Sequence, residues 1–164
     1  MAYTTISKHT DYFNTVTWTG TGYTNNITGV GHQPDMTWIK KRNGTTWHNL
    51  YDAVRGVTKA IIPNETDAEG TRATGLTAFG SDGFTIGADN NANANGDTYV
   101  GWNWKAGTTS GINTTGADIT PSAYSFSQDA GISIIKYTGN GTSGAKIAHG
   151  LGAKPAFIVC MNTD

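Results

Sequence analysis

The stretch YTGNGTSGAKIAHG, Tyr137 to Gly150, carries G-x-G-x-x-G directly after the apolar run ISIIKY, where a dinucleotide-binding loop would begin. Such a loop must open a helix whose N-terminus faces the pyrophosphate. Here AKIAHGLGAKP follows, with Gly150, Gly152 and Pro155 as breakers and no 3.6-residue apolar period. The glycines therefore read as a β-turn between strands, and no cofactor is expected. Asp52, Glu65, Asp67 and Glu69 are carboxylates of the kind a glycosidase pairs as acid and nucleophile, but nothing in the sequence fixes the separation that such a pair needs. There is no G-x-S-x-G, no H-E-x-x-H and no Cys/His pairing, and His9, His32, His48 and His149 are scattered. His32 and His149 flank glycine pairs and read as turn residues. No catalytic residue is assigned, and the expectation is a non-enzymatic protein.

Binding chemistry has better candidates. A lectin-like site sets an aromatic platform for sugar C–H faces beside amides and carboxylates for hydroxyls. Trp47, His48, Asn49, Tyr51 and Asp52 supply that mixture, and the Asn-rich loop from Asp89 to Asp97 is a second polar surface. The same loop has the outline of a calcium site, with Asn91, Asn93 and Asn95 at positions one, three and five and Gly96 at six. Position twelve is Trp102 where a bidentate Glu is required, and neutral carbonyls hold a hard cation weakly. A polar hairpin loop is the better account, and no metal is assigned. Lys40, Lys41 and Arg42 read as a solvated strand end beside the turn Asn43-Gly44.

The elements that must position these groups are short and turn-rich. With 164 residues and 17.3 kDa the chain can bury one good core plus a small appendage. Charged residues are 14% and the net charge is −1, so nucleic acid is an unsuited partner, and no apolar run is long enough for a membrane span. The lone Cys160, in AFIVCM, excludes an internal disulfide and reads as a buried strand thiol. The sequons at Asn26, Asn43, Asn64, Asn113 and Asn140 reflect an Asn/Thr-rich composition, since no secretion signal precedes them.

Strands are expected at DMTWIKKR, at TKAIIP and on both sides of Ser81-Asp82-Gly83. Trp47, Leu50, Tyr51 and Val54 have the spacing of a short helix stopped by Gly56. DTYVGWNWKAG alternates strictly, and its Val100, Trp102, Trp104 face is expected to be core, as are Trp18 and Trp38. An internal repeat sets WTGTGYTNNITGVGHQPDMTWIKK over YTGNGTSGAKIAHGLGAKPAFIVC, Trp18 on Tyr137 and Pro34 on Pro155. These features divide the chain into a unit at 1–106, a flexible Gly/Ser/Thr/Asn linker at 107–120 and the start of a second, incomplete β repeat at 121–164. Either a longer polypeptide continues past Asp164, or the last strands pair with another subunit's sheet.

The blocks DYFNTVTWTGTG, ITGVGHQPDMTWIKKRNG, HNLYDAVRGVTKAIIPNETDAEGT, LTAFGSDGFTIGAD and GDTYVGWNWKAG resemble, in this order, a repeat of marine bacteriophage virion and tail-fibre-like proteins. The resemblance implies an all-β, concanavalin A-like or jelly-roll β-sandwich with at most one short helix. It also implies a virion location; other virion proteins and a homo-oligomer such as a trimer are the expected partners, and a cell-surface glycan is the ligand expected from the aromatic and polar residues above. The expected role is a tail fibre or appendage that attaches to the host surface or anchors the fibre to the virion. The alternative is a capsid decoration protein without glycan recognition; a glycan depolymerase fragment is a more distant third.

Overall fold

A computed structural model describes residues 6–164. A single 3-10 turn, His9–Asp11, leads into β1 (Phe13–Thr19), followed by β2 (Asn25–Ile27), β3 (Met36–Lys41) and β4 (Asn49–Asp52). Two short strands, β5 (Lys59–Ala60) and β6 (Gly70–Thr71), precede the hairpin of β7 (Leu76–Gly80) and β8 (Gly83–Ile86). One helical turn, α1 (Asn90–Asn93), comes before β9 (Thr98–Trp104), and β10 (Ala123–Ser127) with β11 (Ile132–Lys136) forms the last hairpin. The protein is thus mostly β with one short helix, and its named strands pair antiparallel. The turn at Ser81-Asp82 closes β7 onto β8 through the pair Gly80↔Gly83, as those turn residues predict.

The larger sheets are four-stranded, in the order β1-β9-β3-β4, and three-stranded, in the order β2-β8-β7. β9 is therefore interior, pairing Phe13↔Trp104 through Thr19↔Thr98 on one side and Met36↔Trp104 through Lys41↔Tyr99 on the other. One core joins the two sheets: Ile39, Tyr51 and Tyr99 from the first meet Ile27, Leu76, Phe84 and Ile86 from the second, with Val16 and Trp18 packed against them.

This core lies on the opposite face of β9 from the one the tryptophans suggest. Tyr99, Gly101 and Asn103 are buried, whereas Val100, Trp102 and Trp104 are half-buried on the outer face, as is Trp38. The partners supply the reason. A Cβ on Gly101 would stand 3.1 Å from Trp18 Cζ3 and 3.6 Å from Phe84 Cζ, so the glycine makes room for an aromatic cluster. Within it Trp18 stacks on Tyr99 at 5.6 Å between ring centroids and meets Phe84 edge-on at 5.7 Å. Asn103 is tolerated inside because Thr37 Oγ1 donates to its Oδ1 at 3.0 Å while its Nδ2 donates to the carbonyls of Asn14 and Gly101. A period of two separates the faces of a strand without saying which is inward.

The helix expected after Trp47 is instead β4. Its register on β3, Met36↔Asp52 to Ile39↔Asn49, and the Leu50↔Ile61 bridge satisfy its backbone at long range and override the local spacing. Residues 107–120 carry contacts of their own: Thr108 bridges Phe126, and Ile119 pairs with Ile147 in a parallel bridge. β10 is fastened to β3 by Asp35, whose carboxylate accepts from Ser125 Oγ at 3.0 Å and from the Ala106 amide at 2.9 Å. Cys160 is exposed, not a buried strand thiol, because the segment around it forms no strand among the described residues. No helix among those residues is long and apolar enough to cross a membrane.

Candidate functional site

The segment entering β4 separates the five residues of the proposed glycan group. In a strand successive side chains alternate, so Asn49 and Tyr51 point into the core, both with no exposed surface. Neither can reach a ligand on the outside. Burial pushes the Tyr51 phenol well above its ordinary pKa, and the nearby Asp89 carboxylate adds to the shift. Asp52 is buried and committed elsewhere: Arg55 Nε contacts its Oδ2 at 2.5 Å, and its Oδ1 accepts the Arg55 amide at 2.8 Å. The same guanidinium reaches Glu69 Oε2 at 3.1 Å and the Leu50 carbonyl at 3.0 Å, which closes an ion cluster over the end of β4.

Trp47 and His48 remain. Trp47 is 47% exposed, the largest open indole of the chain. His48 is pinned twice: its amide donates to Asn64 Oδ1 at 2.9 Å, and its Nδ1 lies 2.9 Å from Trp38 Nε1. An indole N–H can only donate, so Nδ1 accepts and the imidazole proton sits on Nε2. Burial, with the Lys40 ammonium second, holds His48 below its ordinary pKa of 6.5. The ring is thus a neutral donor at neutral pH. Lys40 and Lys41 are not solvated strand ends. Lys40 Nζ caps the carbonyls of Lys41, Gly44 and Thr46 at 2.9, 3.0 and 3.2 Å, folding the loop before Trp47 onto the sheet. Lys41 Nζ pairs with Asp97 at 2.5 Å, which raises the lysine's pKa and lowers the aspartate's, while Arg42 is exposed.

A family match spans residues 8–164, nearly the whole chain. The chain belongs to the DUF7483 family, a domain of unknown function. No curated protein matches it, and no solved structure does.

The other candidates of this DUF7483 chain are structural. Asn93, first of interest as an oxygen ligand, is fully buried. Its Nδ2 donates to the carbonyls of Tyr23 at 2.5 Å and Gly87 at 2.9 Å, and its Oδ1 accepts from the Thr21 amide at 3.1 Å and Asn25 Nδ2 at 3.2 Å. Its oxygen is therefore already engaged, as a clip between α1 and the loop after β1. Asn91 lies in the same helical turn, whose N-cap Asp89 accepts the Asn91 amide, and Asn95 is exposed beyond it. No group of three or more His, Cys, Asp or Glu converges among the described residues. Of the predicted turn histidines, His32 is buried, with Nδ1 3.0 Å from the Thr10 carbonyl, and His149 accepts the Leu151 amide.

Sequence reasoning missed three participants. Trp38, taken as core, is the partner that orients His48. Asn64, noticed only as a sequon, holds the His48 backbone. Asp35 lines a cleft of about 340 Å³ with Val54, Thr109 and Tyr124, but both its oxygens are spent on β10 and Ala106. Only Pro34 preceding a strand marked the position, and that signals a turn rather than a carboxylate's partner.

Proposed function

We propose that this chain is a non-enzymatic virion structural domain, lectin-like and of concanavalin A or jelly-roll type, that attaches a phage appendage to a cell-surface glycan. The exposed Trp47 beside the doubly anchored His48 is the observation that carries the reading. An open indole offers a flat apolar face to the C–H groups of a pyranose. The imidazole Nε2–H and the Asn64 amide are hydrogen-bonding groups of the type that selects among hydroxyls. The ordered resemblance of the sequence blocks to phage tail-fibre repeats supports the virion setting.

The test is a glycan array probed with the purified chain displayed in several copies on a bead, since single sites of this kind are weak and linked copies gain by effective concentration. Retention of a defined class of glycan, lost at least tenfold in Trp47→Ala with an unchanged melting temperature, is the expected result. An array with no retained glycan, or retention indifferent to Trp47, overturns the reading.

A further inference from the structure

Three loops meet at one end of the four-stranded sheet, the end that carries Trp47. β1 leaves the sheet there at Thr19, β9 enters it at Thr98, β3 leaves it at Lys41 and β4 enters it at Asn49. The register sets these ends side by side, with Thr19 across from Thr98, Tyr99 across from Lys41 and Ile39 across from Asn49. Neighbouring strands lie about 4.8 Å apart, so the row of four ends is about 14 Å wide. Tyr23 follows the β1 end of that row, and Trp47 precedes the β4 end.

Hydrogen bonds join the loops into one edge. The Gly20 amide donates to the Asp97 carbonyl at 2.7 Å, the Gly96 amide donates back to the Gly20 carbonyl at 2.9 Å, and the Gly22 amide donates to the Asn93 carbonyl at 2.8 Å. A Cβ on Gly20 would collide with the Ala94 carbonyl, so the close approach requires glycine. On the other side of β9, Asn43 Nδ2 donates to Asp97 Oδ1 at 3.2 Å, and Asn43 Oδ1 accepts the Thr98 amide at 3.0 Å. Tyr23 is fixed through its backbone, since its carbonyl accepts from both Asn93 Nδ2 and Thr21 Oγ1, while the residue is 79% exposed. An aromatic ring presented on ordered backbone offers a large amphipathic contact at low cost in freedom. Charge marks the middle of the row. Lys41 is neutralised by Asp97 and Lys40 is turned onto three carbonyls, but Arg42 is exposed with no carboxylate partner among the described residues. The exposed carboxylates of Glu65 and Asp67 follow Ile61, which bridges β4 on the edge away from β3. The row is therefore positive in a chain whose net charge is −1.

We propose that Tyr23 and Trp47 are the two ends of one binding edge for a linear acidic glycan, with Arg42 between them taking an anionic group of the chain. The proposal rests on the reading of Trp47 as a sugar platform and adds length and charge to the ligand, which becomes a run of several sugars bearing carboxylate or sulfate groups. Each aromatic ring meets the C–H face of one sugar. The guanidinium meets the anion with two parallel N–H donors, a geometry that carboxylate and sulfate oxygens share. The exposed Asn43 and Asn95 supply neutral amides along the way for hydroxyls.

The test presents the full chain on beads to a uronic acid oligomer, the corresponding dimer, the methyl ester of the oligomer and a sulfated oligomer of equal length. The acidic oligomers, carboxylated or sulfated, should bind about tenfold more tightly than the dimer or the ester, and whichever of the two binds better identifies the anion. Tyr23→Ala should remove the advantage of oligomer over dimer. Arg42→Gln should remove the advantage of acid over ester, and Arg42→Lys should keep most of it. Raising the salt from about 0.1 to 1 M shortens the screening length from about 10 to about 3 Å and should erase the preference for acid as well. Both residues are exposed, so an unchanged melting temperature verifies the fold of each variant. Retention that depends on Trp47 but is indifferent to length, to esterification, to Tyr23 and to Arg42 overturns this proposal and leaves the sugar platform standing. Loss of all Trp47-dependent retention overturns both. Equal binding of a single-stranded polynucleotide overturns the glycan edge in favour of a site that reads charge alone.

Discussion

Asn93→Asp separates two accounts of the Asn-rich loop because they predict opposite signs. For a calcium site, a carboxylate in place of a neutral carbonyl adds charge and strengthens cation binding. For the clip described above, the substitution replaces the Nδ2 donor by a second oxygen facing the carbonyls of Tyr23 and Gly87, at 2.5 and 2.9 Å from the present nitrogen. The buried Gly87 carbonyl is left unsatisfied at a cost of about 1–3 kcal/mol, whereas the Tyr23 carbonyl keeps the Thr21 hydroxyl as a donor, so the loss is about 1–3 kcal/mol before any repulsion is counted. For a domain whose total stability is of order 5–15 kcal/mol this is a large fraction, equivalent to a fall in Tm of roughly 2–12 °C. Burial beside two carbonyls raises the folded-state pKa of the new carboxyl above its unfolded value. The variant is therefore least impaired at low pH, where the protonated acid can donate once, and the deficit grows as pH rises through the unfolded pKa towards the folded one. Thermal melts of wild type and variant with and without millimolar calcium, across about pH 4 to 8, read both quantities. A variant as stable as wild type in chelator, or stabilised by calcium, would refute the clip.

Two further outcomes follow from buried charge. Arg55→Ala strands the buried Asp52 and leaves Glu69 with Lys59 at 4.0 Å, and is expected to cost about 3–5 kcal/mol in urea unfolding, with Arg55→Lys recovering only part because an ammonium cannot fork across both carboxylates; a loss below about 1 kcal/mol would mean that water, not the guanidinium, serves the pair. His48 is held below its ordinary pKa of 6.5, so the unfolded chain binds the proton more readily: its contribution to stability is complete above that pH and is lost as pH falls through the folded value. An NMR titration should place the His48 midpoint below 6.5, with Trp38 indole N–H shifting at the same midpoint, and a midpoint at or above 6.5 would show that the Trp38–His48 bond does not restrain the ring.

The β class was legible because it rests on local chemistry: Thr and aromatic alternation for the strands and Ser81-Asp82 for a hairpin. What failed depends on partners distant in sequence. Gly101 and Asn103 look like surface residues until Trp18 fills the space over one and Thr37 and Asn14 bond the other, so the wrong face of β9 was expected inside. The helical spacing after Trp47 gave way to the Met36↔Asp52 register for the same reason. That error carried into the site, because a helix would have set Trp47 and Tyr51 on one face, whereas β4 turns Asn49 and Tyr51 inward. Asn93 was noticed for the right atom and the wrong partner: its oxygen is bonded, but to the chain's own Thr21 and Asn25.

The inversion of β9 also bears on how the proposed site would work. Because the core is on the other side, the outer face of the four-stranded sheet keeps Trp38, Trp102 and Trp104 half-buried, with the Phe13 ring tilted against Trp104 at 5.1 Å between centroids. Trp38 lies directly across from Trp102 in the ladder and hands its N–H to His48. The imidazole is therefore oriented by a side chain of an interior strand, and a ring held by such a bond loses less freedom on binding than a free one. A single indole with one oriented donor still gives weak affinity, so the proposed attachment depends on several copies acting together. Glycan retention that rises with assembly while the affinity of one site stays constant is the behaviour this arrangement requires.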